Sequence, residues 1–321
     1  MDGSPLITKR STCAYCGVGC GVVLTADGHG GVLVKGDAEH PANFGKLCSK
    51  GSALGDTVGL SHRLHAPLVH GKETPWDEAL QLVADRFRET AEVHGPDTTA
   101  FYVSGQLLTE DYYVANKLIK GFIGTANIDT NSRLCMASTV AGHKRAFGTD
   151  TVPGTYDDLD EADLVVLVGS NLAWCHPILH QRVLAAKAKR GTKIIVVDPR
   201  RTASCDGADL HLPLRVGSDV ALFNHLLAEI ADRGAVNRDF LNNTNGFGAA
   251  LEAARANDLS LTDLDPADVA TFCDMWIETP RVVTVFSQGV NQSTSGADKV
   301  NSILNCHLAT GRIGAPGCGP L

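Results

Sequence analysis

The sequence predicts an α/β chain: a small N-terminal β-hairpin unit, then α/β domains built on a parallel sheet. Three observations carry this. Two short β runs stand beside a tight cysteine group near the start. From about residue 160 to 290, Val/Ile-rich runs alternate with long helix-patterned stretches, which implies parallel strands covered on both faces. Polar Gly/Ser/Asp/Asn clusters follow the apolar runs, where such sheets bind ligands.

In chain order, "CGVVLTADGHGGVLVKG" reads as two strands joined by Asp27-Gly28-His29-Gly30, a hairpin. A helix is expected over "TPWDEALQLVADRF", with Thr74 as cap, Pro75 in the first turn and Asp77 completing a box-like pattern. Trp76, Ala79, Leu80, Val83, Ala84 and Phe87 share one face at helical spacing, and Gly95-Pro96 ends the element. "TTAFYVSG" reads as a buried strand. The regular part then runs strand "DLVVLVGSN", helix "HPILHQRVLAAKAKRG", strand "KIIVVDPRRT", helix "DVALFNHLLAEIADRG" and strand "RVVTVFSQGVNQ". No helix or strand is expected after "LATGRIG".

Four clusters fall at strand ends or a helix start: Gly169-Ser170-Asn171, Asp198 to Thr202 with Arg200 among them, Gly217-Ser218-Asp219, and Gln288 to Gln292 with Gly289 and Asn291. None is a G-x-G-x-x-G. Still, a glycine turn after one strand and an acid ending the next share out the work of a Rossmann-like dinucleotide site: the first admits a phosphate, the second accepts bonds from ribose or guanine. Plain turn-making by Gly169 and Asp198 explains the same residues about as well.

The chain has 321 residues, room for two domains, with 44% apolar residues and a formal net charge of −8. The acidic balance argues against nucleic acid or an anionic membrane surface as partner. No apolar run reaches the roughly 18 residues of a membrane span. "MDGSPLITKRSTC" has no apolar signal segment, and ten cysteines without one favour metal or redox chemistry in a cytoplasmic protein over disulfides.

Cys13, Cys16, Cys20 and Cys48 are spaced C-x2-C-x3-C-x27-C. Four thiolates suit tetrahedral zinc or a [4Fe–4S] cube. Zinc ribbons usually show two C-x2-C pairs; three grouped cysteines and one distant one favour the cube, with Gly17, Gly19 and Gly21 letting backbone lie close to it. Zinc stays open on spacing alone.

"TCAYCGVGCGV" with "KLCSKG" resembles the N-terminal cluster motif of the molybdopterin (bis-guanine-dinucleotide) oxidoreductases. "NSRLCMASTVAGHKRAFGTD", "VGSNLAWCHPILHQR", "VVDPRRT" and "FSQGVNQSTSGADKVNSILNCHLATGRIG" continue the likeness in order over essentially the whole chain. Within the family the chain is most similar to catalytic subunits of the cytoplasmic assimilatory nitrate reductases. The resemblance implies a [4Fe–4S] cluster on the four cysteines and a molybdenum bis(molybdopterin guanine dinucleotide) on the α/β part. It makes Cys135 the protein ligand to molybdenum, a soft thiolate near a helix start at Ala137 and Ser138. It places Lys50 between cluster and proximal pterin, although an exposed lysine is the ordinary reading of that position. Arg133, Met136 and Thr139 would line the pocket, and Trp174 and His176 would line or pack near the cofactor. Cys175, Cys205, Cys273, Cys306 and Cys318 read as structural.

The reaction implied is two-electron oxygen-atom transfer from nitrate, giving nitrite, with electrons entering through the cluster from ferredoxin, flavodoxin or an NADH-linked reductase subunit. Formate dehydrogenase of the same family is the nearer rival; there a histidine commonly follows the metal-ligating residue, where this chain has Met136. A non-catalytic iron–sulfur electron-transfer or scaffold subunit is the rival of another class, against which the presence of Cys135 speaks. By analogy, residues 1–66 form the cluster domain, 67–130 the first part of a discontinuous α/β domain, and 131–321 the dinucleotide-binding domain. The family's C-terminal β-rich domain is absent, so the chain reads as an N-terminal fragment.

Overall fold

A three-stranded antiparallel sheet opens the structure, a computed structural model that describes residues 7–61 and 63–321, with Arg133 described in its backbone only. Its strands are β1 (Thr8–Thr12), β2 (Gly21–Ala26) and β3 (Val32–Gly36), in that order. The β2–β3 hairpin turns where the sequence places it. Asp27 shapes the turn, its Oδ1 accepting the N–H groups of His29 and Gly31 at 2.8 Å each. β1 escaped the sequence reading because "TKRST" has no apolar alternation; all five residues are exposed.

A two-residue hairpin follows, β4 (Leu68–Val69) with β5 (Lys72–Glu73), then helix α1 (Trp76–His94). Its N-cap is Pro75, not Thr74, whose hydroxyl donates to the Lys72 carbonyl at 3.1 Å. Gly95, at φ 87°, ends it as expected. No residue of α1 is buried, and Trp76, Leu80 and Val83 are 64%, 58% and 52% exposed, so the apolar stripe is present but uncovered. Phe87 does find Phe101, ring centroids 5.9 Å apart. β6 (Phe101–Val103) pairs in parallel with β7 (Ile128–Thr130) alone, and Tyr102 is 76% exposed: the strand expected to be buried is half open. Between them α2 (Thr109–Asn116) runs on into a π-helical stretch, Lys117–Ile123.

These elements belong to the first of two compact units, Met1–Arg133; the second is Leu134–Leu321. The second unit holds α3 (Ala137–Phe147), β8 (Leu164–Val168), α4 (Pro177–Arg190), β9 (Lys193–Val197), β10 (Leu210–Leu212), α5 (Asp219–Asp232), α6 (Phe247–Arg255), α7 (Pro266–Glu278), β11 (Val282–Phe286), α8 (Gly296–Ala309) and β12 (Gly319–Pro320). Its five strands are all parallel, in the order β10-β9-β8-β11-β12. Numbered within the unit this is 3-2-1-4-5, the doubly wound Rossmann-like order. Every residue of β8 and β11 is buried. Side chains alternate between faces: Val166, Val168, Ile195 and Val197 pack with Phe223, Phe272 and Trp276. Val165, Leu167, Ile194 and Val196 pack with Leu159, Leu172 and Val183 on the other side.

One expectation fails at the C-terminal end. After "LATGRIG" the chain forms β12, pairing in parallel with β11 through Val283–Gly319 and Thr284–Pro320. A Gly-Pro pair carries no strand signal; the pairing is set by the neighbouring edge rather than by propensity.

Candidate functional site

In the first unit, β1 ends at Thr12 and β2 begins at Gly21, so Cys13 to Cys20 form the loop of an antiparallel pair. Cys13 N–H donates to the Cys20 carbonyl at 2.8 Å, and Gly19 N–H to the Cys16 carbonyl at 3.2 Å, with Gly19 at φ 63°. Cys48 caps the short helix Ser49–Ser52, its Sγ accepting the Gly51 N–H at 3.5 Å. A Cβ on Gly51 would lie 3.9 Å from Cys13 Sγ, which brings the distant cysteine's turn beside the first. Asn43, 1% exposed, straps the two parts together. It exchanges both backbone hydrogen bonds with Gly21, at 2.8 and 3.1 Å, and donates to the Lys46 carbonyl at 2.8 Å.

A Cβ on Gly17 would stand 2.7 Å from the Leu107 carbonyl oxygen, and one on Gly21 2.3 Å from His40 Cβ, so both glycines make room for neighbouring protein. Burial, reinforced by the charges of Cys13, Cys16 and Cys48, pushes the Cys20 thiol up to about 11. Among the described residues no three Cys, His, Asp or Glu side chains form a group fit to hold a single metal ion. One zinc needs four donors within about 2.3 Å of a point, whereas a cube takes each thiolate on a different iron. Four thiolates with the Cys48 turn beside Cys13 have the donor chemistry such a cube takes. Lys50 sits in the same short helix, exposed, with no hydrogen bond or ion pair among the described residues.

In the second unit the strand order reverses between β8 and β11, and the Gly169 and Gly289 turns meet there. A Cβ on Gly169, already at φ 54°, would lie 2.7 Å from Gly289 Cα, and Gly289 N–H donates to the Gly169 carbonyl at 3.0 Å. Ser170 is 1% exposed and its hydroxyl has no partner. Asn171 Oδ1 accepts the Ser204 hydroxyl at 3.0 Å. Asp198, 4% exposed, accepts the Arg200 N–H at 2.9 Å, with Arg200 Nε 3.8 Å from the same oxygen. Thr202 leads into the 3₁₀ turn Ala203–Gly207. At the start of α5, Gly217 has φ 92° and open space around it, and the Ser218 hydroxyl turns back to the Arg215 carbonyl at 2.7 Å. The Asp219 carboxylate is ion-paired with Lys299 Nζ at 2.6 Å, the side chains 8% and 4% exposed, which does not engage the backbone N–H at this helix start.

Cys135 ends the short helix Ser132–Cys135, and α3 starts two residues later at Ala137, the helix start read from the sequence. Gln288, opening the turn Gln288–Asn291 after β11, donates from Nε2 to Cys135 Sγ at 2.9 Å and reaches Met136 Sδ at 3.6 Å. Asn291, 4% exposed, donates to Met136 Sδ at 3.5 Å and accepts the Thr139 hydroxyl. The Arg133 side chain lies outside the described residues. Gln292 is exposed, as are Trp174, at 77%, and His176. Cys175 is exposed too, contrary to its structural reading, while Cys205, Cys273, Cys306 and Cys318 are buried.

The sequence reading missed Gln288, Lys299 and Asn43. Gln288 was visible inside its cluster but had no signal tying it to Cys135, 153 positions away. Lys299 read as an ordinary helix lysine. The fit to a dinucleotide stands on two buried oxygens without partners among the described residues, Ser170 Oγ and Gln288 Oε1, at adjacent strand ends beside the Gly169–Gly289 contact. Buried polar atoms are normally satisfied, so such a pair marks where a polar ligand belongs. No described helix is long and apolar enough to cross a membrane.

Two family models match the chain: "Molybdopterin oxidoreductase Fe4S4 domain" over residues 7–59 and "Molybdopterin oxidoreductase" over 63–320. A nitrate reductase of Klebsiella oxytoca is 54% identical over 97% of the chain and 36% of its own length. A nitrate reductase of Shewanella frigidimarina is 46% identical over 97% of the chain and 35% of its own length. The chain thus spans little more than a third of each. Among solved structures, acetylene hydratase from Pelobacter acetylenicus superposes with a TM-score of 0.76 at 22% identity, over 94% of the chain and 42% of the hydratase, a likeness of fold alone.

Proposed function

Because the chain belongs to the molybdopterin oxidoreductase family, we propose that the whole protein is a nitrate reductase, reducing nitrate to nitrite for assimilation in the cytoplasm. The family brings two cofactors, a [4Fe–4S] cluster and a molybdopterin, usually in the guanine dinucleotide form. The molybdenum centre supplies two-electron oxygen-atom chemistry; the polypeptide supplies binding, orientation and electrostatics. Cys13, Cys16, Cys20 and Cys48 would hold the cluster, which would supply the entry for electrons from a ferredoxin, flavodoxin or NADH-linked subunit. Lys50, exposed beside Cys48, would serve between cluster and pterin, as the resemblance implies. The Gly169–Gly289 turns would let the dinucleotide approach the backbone, and Ser170, Asn171, Asp198, Arg200, Thr202, Gly217, Ser218 and Asn291 would bind it, Asp198 as an acceptor for its sugar or base.

The single observation carrying this reading is the placement of Cys135. Its sulfur sits against the turn after β11, at the switch point where doubly wound sheets bind ligands, with two unpartnered buried oxygens nearby. A soft thiolate there suits a metal already bound by dithiolenes. Met136 beside it favours nitrate over formate. The full-length protein, purified anaerobically, should contain about four irons and molybdenum, reduce nitrate, and leave formate untouched. Its activity should fractionate with the cytoplasm. Iron without molybdenum, or formate oxidation in place of nitrate reduction, overturns the reading.

A further inference from the structure

Gln288 does more than fill its turn. Resting on the assignment of Cys135 as the metal's thiolate, we propose that Gln288 is the positioning residue of that thiolate: its side-chain amide holds the Cys135 sulfur and sets how strongly that sulfur donates to the metal.

The geometry fixes which end of the amide faces the sulfur. A thiolate and a thioether are both acceptors, so an amide lying 2.9 Å from Cys135 Sγ and 3.6 Å from Met136 Sδ must present its nitrogen. The side chain serves no group of its own turn, whose N-cap, Ser287, makes no side-chain bond. Its other end, Oε1, is buried without a partner, so nothing else among the described residues anchors the amide.

The backbone beneath it is held on several sides. Gly289 N–H donates to the Gly169 carbonyl at 3.0 Å, and the Gly289 carbonyl accepts from Lys299 Nζ at 3.3 Å. Lys299 is itself fixed by Asp219 at 2.6 Å, so α5, α8 and the β8 turn converge on one glycine. Three residues on, Asn291 grips Met136 and Thr139 from the same side of the turn. Two amides at i and i+3 thus meet consecutive sulfur-bearing residues, and the Gln288 nitrogen is delivered to Cys135 by the sheet rather than by a loose loop. A hydrogen bond to a ligating sulfur draws electron density from it, weakens its donation and raises the metal's reduction potential.

The test uses the full-length holoenzyme with Gln288→Met, of similar length but without a donor, and Gln288→Glu, of the same shape but an acceptor at that position. Redox titration followed by the Mo(V) signal should place the molybdenum couple at lower potential in both, further in Gln288→Glu. Nitrate kcat should fall about tenfold or more, KM changing less. The iron content and the cluster's own signal should stay as in the parent. Unchanged potentials in both variants overturn the proposal. So does a loss of thermal stability and metal content that leaves the potential of the remaining metal unmoved, the mark of a purely structural residue. Should one variant not fold, the other decides. Cys135→Ser separates the layers: if the Mo(V) signal persists there unaltered, the ligand assignment fails; if that signal is lost while the Gln288 variants titrate like the parent, only the role of Gln288 fails.

Discussion

Gly169 and Gly289 touch backbone to backbone, a Cβ on the first falling 2.7 Å from the Cα of the second. This contact is the floor of the ligand edge, where the β8 and β11 turns diverge, and it explains two glycines otherwise assignable to turn-making.

Alanine should not be tolerated at either position. At Gly169 it meets both a positive φ, costing about 1 kcal/mol, and the facing backbone, costing a further 1–3 kcal/mol by overpacking. At Gly289 only the second cost applies. Gly169→Ala should therefore lower the melting temperature of the full-length protein more than Gly289→Ala, and both should reduce molybdenum content while sparing iron. Equal, negligible shifts in both would show that the turns separate freely.

The Lys299–Asp219 pair is buried on both sides and also holds the Gly289 carbonyl. Removing one partner leaves an uncompensated buried charge, at a cost of about 3–5 kcal/mol, whereas replacing both by apolar groups of similar volume is often neutral. Lys299→Met alone should be strongly destabilising, and Lys299→Met with Asp219→Leu should recover most of the loss by thermal unfolding. The double variant should still lose molybdenum, since the Gly289 carbonyl then lacks its Lys299 donor. Additive losses would mean that the pair is not coupled.

The iron-free cysteine group should respond to pH in a defined direction. The folded Cys20 thiol is raised to about 11 from an ordinary value near 9, first by burial and then by the other three sulfurs. The folded state thus holds this proton more tightly than the unfolded one. The associated stability is fully present below about pH 9 and is lost as pH rises towards 11. Binding iron must expel the proton. Reconstitution of iron-free full-length protein with iron and sulfide should release protons and improve as pH rises from about 7 to 9. Reconstitution indifferent to pH would argue against protonated thiols in the group.

Much of this was legible in the sequence, for physical reasons. β8, β9 and β11 are buried on both faces, so Val/Ile runs announce them. α4 carries its own stop at Gly191, in the left-handed region. β1 and β12 were illegible because their partners, not their side chains, make them strands. The α1 stripe was legible as apolar, but periodicity reports which face seeks a partner, not whether one is present. At the site, the clusters at strand ends were visible as turn chemistry. The pairing of Gln288 with Cys135 and of Lys299 with Asp219 was not, since each joins residues at least eighty positions apart that only the sheet brings together.

Two cysteines with different surroundings give a sharp comparison. Cys135 lies against Gln288 at the switch point, while Cys175 is exposed at the end of the short helix Leu172–Cys175 with no ligand-like setting. If Cys135 binds molybdenum, Cys135→Ser in the full-length enzyme should abolish or greatly reduce nitrate turnover and alter the Mo(V) signal. Its iron content should stay the same, since the four cluster cysteines are untouched. Serine keeps the volume but replaces a soft donor with a hard one, so protein stability should hardly change. Cys175→Ser should match the parent in turnover and in both metals. Near-normal nitrate reduction by Cys135→Ser would show that the thiolate is not required. Loss of turnover in Cys175→Ser instead would move the metal ligand from the Ser132–Cys135 helix to the loop after β8.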